Sequence, residues 1–167
     1  MKDAVDSRVS IRPYLKSDAE ATSTIFQEAI TVTASADYTP EQIAAWARPE
    51  SRDVAGWNRS MRGRDSYVAV VDEQVVGFSD VDADGYVDMM FVSPRFSRQG
   101  VARSLMTFLE ARARAHGAQR LFADVSITAR PFFEASGFRV DFEQHPVAEG
   151  IVMTNFRMTK VLEPLPR

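Results

Sequence analysis

The spacing of hydrophobic and polar positions changes several times along this chain, and each change marks an element. Residues 86–92 (Tyr-Val-Asp-Met-Met-Phe-Val) are almost wholly apolar and lie between Gly85 and Pro94. That pattern predicts a strand buried on both faces. A basic loop follows, and Val101, Leu105, Phe108 and Leu109 then recur at helical spacing. The spacing predicts a helix from about residue 98 to 116, with Gly117 as its stop.

Upstream, residues 9–15 set Val9, Ile11 and Pro13 against Ser10, Arg12 and Tyr14, which predicts a first strand. Ser17 or Asp18 caps a following helix with Ala19, Thr22, Ile25, Phe26, Ala29, Ile30 and Thr33 along one side. Thr39-Pro40-Glu41-Gln42 combines an N-cap hydroxyl, a proline at the first helical position and a glutamine three residues after the cap. It opens a helix over residues 40–47 that presents Ile43 and Trp46 together. Pro49 ends it, and residues 50–62 predict another helix, with Val54, Trp57 and Met61 spaced to pack.

Residues 66–71 and 75–79 read as strands joined by Asp72-Glu73-Gln74, hence a hairpin. Asp84-Gly85 turns the chain into the 86–92 run, so the strands through Val92 form an antiparallel meander. After the long helix come a buried strand at 121–125 and a short helix at 128–136 stopped by Gly137. Two strands, 138–145 and 149–158, close the chain around Pro146. The order βααα-βββ-α-β-α-ββ predicts an α/β fold: a mixed, mostly antiparallel sheet flanked by helices. Nothing in the pattern marks a repeat or linker, so residues 1–167 read as a single domain.

Composition narrows the function. A chain of 167 residues, 45% hydrophobic, can bury one core of ordinary size. A net charge of −3 argues against a nucleic-acid partner. Basic residues do gather at Arg95, Arg98 and Arg103, enough to attract a polyphosphate. The absence of cysteine excludes disulfides, thiolate nucleophiles and cysteine zinc sites. His116 and His145 are not spaced as metal ligands, so no metal is expected. The polar N-terminus and the lack of a long apolar run predict a soluble, cytoplasmic protein with no membrane partner.

Strand, basic glycine-containing loop and helix start together aim backbone N–H groups and the positive helix end at one spot. Gly100 permits close approach there, and the N–H groups from about Arg98 to Arg103 make a nest for phosphate. No Gly-Lys-Ser/Thr follows, so this is not a nucleotide P-loop. Asp88 is the one charge within the apolar run, placed by alternation on the face of Tyr86, Met90 and Val92. On its own it reads as a structural carboxylate that accepts backbone N–H groups or pairs with an arginine.

Two blocks carry a family resemblance. Ser97-x-x-Gly100-x-Ala102 resembles the pyrophosphate-loop pattern Gln/Arg-x-x-Gly-x-Gly/Ala. Residues 129–138 (Ala-Arg-Pro-Phe-Phe-Glu-Ala-Ser-Gly-Phe) resemble Ala-x-x-Phe/Leu-Tyr-Glu-x-x-Gly-Phe. In this order, with the strand between them, they resemble the GNAT superfamily of acetyl-CoA-dependent N-acetyltransferases. Residues 38–46 and Thr154-Asn155-Phe156 are similar to its YafP-like members.

The resemblance implies a GNAT fold and acetyl transfer from acetyl-CoA to an amine by direct attack in a ternary complex, without a metal. It implies that Phe91, Val92, Arg98, Gln99, Gly100, Val101, Ala102, Arg103, Ser126 and Phe133 bind the cofactor. It implies Asp88 as base, and Tyr86 as proton donor to the leaving thiolate or as packing. Tyr38, Trp46 and Asn155 are placed at the acceptor pocket, with a core anchor as the other reading of Trp46.

The chain departs from the pattern twice. Ser97 replaces the usual Gln or Arg, and Phe133 replaces a tyrosine whose hydroxyl in many relatives lies near the CoA sulfur. A non-catalytic acyl-CoA-binding or sensing domain is the alternative function, and transfer to a hydroxyl a third. Acceptor identity and homodimer formation are left open.

Overall fold

The computed structural model describes residues 8–49 and 52–164. Its first half runs β1 (Ser10–Pro13), α1 (Ala19–Glu28), α2 (Pro40–Ala47), α3 (Val54–Arg62), β2 (Ser66–Val71) and β3 (Gln74–Asp80). Then come β4 (Tyr86–Val87), β5 (Met90–Val92), α4 (Val101–Ala115), β6 (Arg120–Ser126) and α5 (Arg130–Ala135). The chain closes with β7 (Arg139–Gln144), β8 (Val147–Ala148), β9 (Ile151–Val152) and β10 (Asn155–Val161).

The helices form where local chemistry dictates. Thr39 accepts the Gln42 N–H at 3.2 Å while the Gln42 side chain accepts the Thr39 N–H at 2.9 Å, closing the expected capping box on α2. The apolar side of α1 is buried through Ala19, Thr22, Ile25 and Phe26, and a π-turn carries it on to Ala29 and Ile30. The start expected for α3 at residue 50 lies outside the described residues. Asp53 is its N-cap, accepting the Gly56 N–H at 2.6 Å.

The expected mixed, mostly antiparallel architecture flanked by helices is present, but the 86–92 run is not one strand. Two four-stranded sheets form, ordered β1-β2-β3-β5 and β4-β6-β10-β7. β5 pairs antiparallel with β3, setting Met90 opposite Ser79, whereas β4 pairs parallel with β6, setting Tyr86 opposite Phe122. The remaining pairs among the described residues are antiparallel.

The break at Asp88-Met89 has a local cause. The buried Asp80 carboxylate accepts the Asp88 N–H at 2.7 Å and the Met89 N–H at 3.2 Å. The Ser79 hydroxyl donates to the Met89 carbonyl at 2.6 Å. With these backbone groups engaged by side chains, neither residue joins a ladder. The last predicted strand is also divided: Glu149 and Gly150, at φ 49° and 76°, turn the β8–β9 hairpin, and β10 starts only at Asn155.

The aromatic cluster of Phe26, Trp57 and Phe78 joins α1 and α3 to the first sheet, while Leu109, Leu121, Phe138 and Met158 join α4 to the second. α4 sits flush on β3 at Gly77, where a Cβ would lie 3.0 Å from Val101 and 3.1 Å from the Phe91 carbonyl oxygen. This close contact fixes the start of α4 beside β5.

Candidate active site

A cleft of about 870 Å³ opens where β5 and β6 diverge. Among the described residues, beyond the short β4 pairing, β6 has only β10 beside it, and β5 has only β3. The second edges of Met90–Val92 and of residues 124–126 therefore carry backbone groups with no neighbouring strand. Such edges hydrogen-bond an extended, amide-bearing ligand.

At one end of the cleft the wall is the loop before α4. Arg98 and Gly100 adopt left-handed backbone at φ 60° and 82°, which delays the start of α4 from the expected residue 98 to Val101. Gly100 is the N-cap residue and its carbonyl accepts the Ser104 N–H at 3.0 Å. Left-handed turns of this kind, set against the orphan N–H groups of a helix's first turn, form a concave anion site. Arg98, Gly100, Val101, Ala102 and Arg103 all line the cleft. Gln99 does not; its side chain donates to the Arg95 carbonyl at 3.3 Å. Ser97 turns back into its own loop, donating to the Pro94 carbonyl at 2.9 Å.

Midway along the cleft stands Asp88, its side chain 39% exposed and 3.5 Å from the Arg64 guanidinium. Arg64 also pairs with Asp80 at 3.2 Å. Burial pushes the Asp80 carboxyl up to about 6, against the opposing pull of the Asp88 N–H and Arg64. The strand expected at residues 75–79 runs on to Asp80, a residue outside the expected site. Its signal was a carboxylate directly after a strongly apolar strand.

Tyr86 is not brought to the cleft wall. Its ring packs on Phe122 at 5.2 Å and its hydroxyl donates to Asp124 at 3.2 Å. Burial first, and Asp124 second, push the Tyr86 hydroxyl up to about 12. Asp124, also missed, does line the cleft. Burial raises its carboxyl, but hydrogen bonds from Arg157 and Gln144, both at 2.7 Å, hold it below the usual range. Gln144 donates as well to the Asn155 side-chain oxygen at 3.1 Å, which positions Asn155 on the cleft wall.

The far end is closed by α2 and the strand ends. Tyr38, 7% exposed, donates its hydroxyl to the Thr154 carbonyl at 2.6 Å and accepts the Ile127 N–H at 3.0 Å. The Trp46 ring stands edge-on to Tyr38 at 5.5 Å and 6.3 Å from Phe91, half in the core and half in the wall. The Ser126 hydroxyl accepts the Ala129 N–H at 3.0 Å. Phe133 is buried between Phe132 and Phe138 and shows one side to the cleft. Phe91, Val92 and Ser126 complete the expected lining. Among the described residues no cluster of three or more His, Asp or Glu could hold a metal ion.

Comparison with known proteins agrees with this architecture. The family model for the acetyltransferase (GNAT) domain matches residues 34–160. The chain is 38% identical over 153 residues to YafP of Escherichia coli K12, described as an uncharacterized N-acetyltransferase, covering 91% of this chain and 95% of YafP. A crystal structure of a GCN5-related N-acetyltransferase from Rhodopseudomonas palustris superposes with TM-score 0.88 at 32% identity, covering 93% of this chain and 97% of that one. The PaiA N-acetyltransferase of Thermoplasma acidophilum, solved with coenzyme A, superposes at 0.73 with 17% identity, covering 92% and 98%. The split strand, the open edges and the helix-start nest, together with these matches, show that the chain belongs to the GNAT acetyltransferase family.

Proposed function

We propose that this chain is a single N-acetyltransferase domain that moves the acetyl group of acetyl-CoA to an amine by direct attack in a ternary complex. One observation carries the reading: a single cleft joins a backbone-built anion nest at Gly100 to open strand edges and the carboxylate of Asp88. The PaiA N-acetyltransferase, which has the same fold, was solved in complex with coenzyme A, and that supports a coenzyme A ligand here.

In this reading the diphosphate sits in the nest, and the pantetheine amides lie along the β5 and β6 edges. The thioester then reaches the split between β4 and β5. A lysine-type amine has a pKa near ~10.4 and must lose its proton to attack. Asp88 takes that proton directly or through a water. The nitrogen–carbon bond forms, the carbon–sulfur bond breaks, and the electron pair leaves on sulfur. A thiol of pKa about 8.5 departs without a strong acid, so the hydroxyl-free Phe133 is compatible with turnover. Tyr86 is given no step, because its hydroxyl is spent on Asp124.

Acetyl-CoA should raise the melting temperature, since binding to the folded state alone stabilises it. Gly100→Glu should abolish that shift by filling the approach and adding a like charge; retained binding would refute the nest. Thiol release on a panel of amines tests transfer. Tight acetyl-CoA binding with no release for any amine would favour the sensing alternative.

A further inference from the structure

Arg52 stands on the cleft wall beside the acceptor end and has no part in cofactor binding or proton transfer as described above. Its guanidinium stacks over the Phe26 ring at 4.7 Å. Its Nε donates to the Ala47 carbonyl at 2.9 Å and its Nη2 to the Trp46 carbonyl at 3.3 Å. These bonds hold the fork at the C-terminal end of α2, next to Trp46. Phe26 in turn meets Phe91 at 5.1 Å, so the cation is built onto the aromatic wall.

Five N–H donors belong to a guanidinium, and these contacts use two. Among the described residues Arg52 forms no ion pair, whereas its neighbour Arg48 pairs with Glu149 at 3.1 Å. Burial, with Arg48 nearby, pulls the Arg52 guanidinium below its ordinary range. The α2 carbonyls offset part of the charge, but capping a helix end needs no full cation in a cleft. A half-buried cation without a counter-ion is costly unless a ligand supplies one.

We propose that Arg52 binds a carboxylate on the acceptor, so that the amine substrate is amino-acid-like with an apolar or aromatic body lying against Trp46 and Tyr38. A planar carboxylate matches the guanidinium fork in two parallel hydrogen bonds. Asp88 lines the same cleft and carries the opposite charge, so the two together would complement a zwitterion. The inference rests on the acetyltransferase reading.

The test uses matched pairs: phenylalanine and phenethylamine, tryptophan and tryptamine, leucine and isoamylamine, each assayed by thiol release with acetyl-CoA. Wild type should favour the carboxylate member of at least one pair by about 10–100-fold in kcat/KM, about 1.4 kcal/mol per tenfold. Arg52→Gln should collapse that ratio toward one through the acceptor KM, and Arg52→Lys should restore part of it. The acetyl-CoA melting shift of each variant verifies that it is folded. Equal losses for both members in Arg52→Gln would overturn the inference and leave Arg52 as a cap of α2. Wild-type transfer only to the decarboxylated amines would overturn it while the acetyltransferase reading stands. Transfer to no amine by protein that binds acetyl-CoA would overturn both.

Discussion

The two ends of the cleft are built from different materials. At the end proposed for the cofactor the wall is backbone: left-handed turns at Arg98 and Gly100, followed by the first turn of α4. At the end proposed for the acceptor it is side chain: Tyr38, Trp46 and Arg52, each already tied to a neighbour. A backbone site tolerates changes of side chain as long as the turns keep their shape. Ser97 shows this, since its hydroxyl bonds its own loop and leaves the nest geometry intact. A side-chain site has no such tolerance, and selectivity for the acceptor is therefore expected to reside there.

Substitutions at Asp88, between the two ends, should separate chemistry from binding most strongly. Asp88→Asn is expected to lower kcat by about 10²–10⁴-fold, the usual range for a positioned base. Acetyl-CoA affinity, read by calorimetry, should stay within about threefold. A fully active but less stable variant would make Asp88 a structural partner of Arg64. Next comes Trp46→Ala, which should raise the acceptor KM about tenfold or more with little effect on the acetyl-CoA KM. Its unfolding free energy should fall by roughly 2–3 kcal/mol, below the range for a fully buried tryptophan. A loss confined to stability would place Trp46 in the core alone.

Tyr38→Phe keeps the ring and removes the hydroxyl, leaving the Ile127 N–H and the Thr154 carbonyl without this partner. The expected cost is about 1–3 kcal/mol in denaturant unfolding. The smallest effect concerns pH. Asp80 rises from an ordinary 3.8 to about 6 in the folded protein. Between those values the folded state holds a proton that the unfolded state has lost, so this group makes stability fall as pH rises. Asp124, held low, acts in the opposite sense, losing its stabilisation as pH falls through its folded value. In urea titrations between about pH 4 and 6, Asp80→Asn should remove the downward component; an unchanged profile would show that Asp80 titrates normally.

Features set by neighbours along the chain were legible in the sequence. The capping box of α2, the apolar side of α1 and the basic, glycine-containing loop leading into α4 each depend on residues within one or two helical turns. Features set by distant partners were not. A run as apolar as residues 86–92 looks like one strand because the side chain that divides it, Asp80, lies across a turn. The Tyr38 hydroxyl reaches a carbonyl 116 residues away, and hairpin logic contains no hint of that bond. Asp124 looks like an isolated charge in a buried strand until the register with β10 and β7 brings Arg157 and Gln144 against it.

The divided strand also has a consequence for the order in which the molecule comes into being. β2, β3 and β5 follow one another closely, so the first sheet can pair through short loops as soon as Val92 has left the ribosome. The second sheet waits: β4 meets β6 only after α4 has crossed, and β6 is completed by β10, with Ser126 opposite Asn155. Non-local pairings of this kind form late because a long loop must close first. One wall of the cleft is thus expected to form before the other, whose pairing requires β10, and the site between them is expected to form only when both are in place.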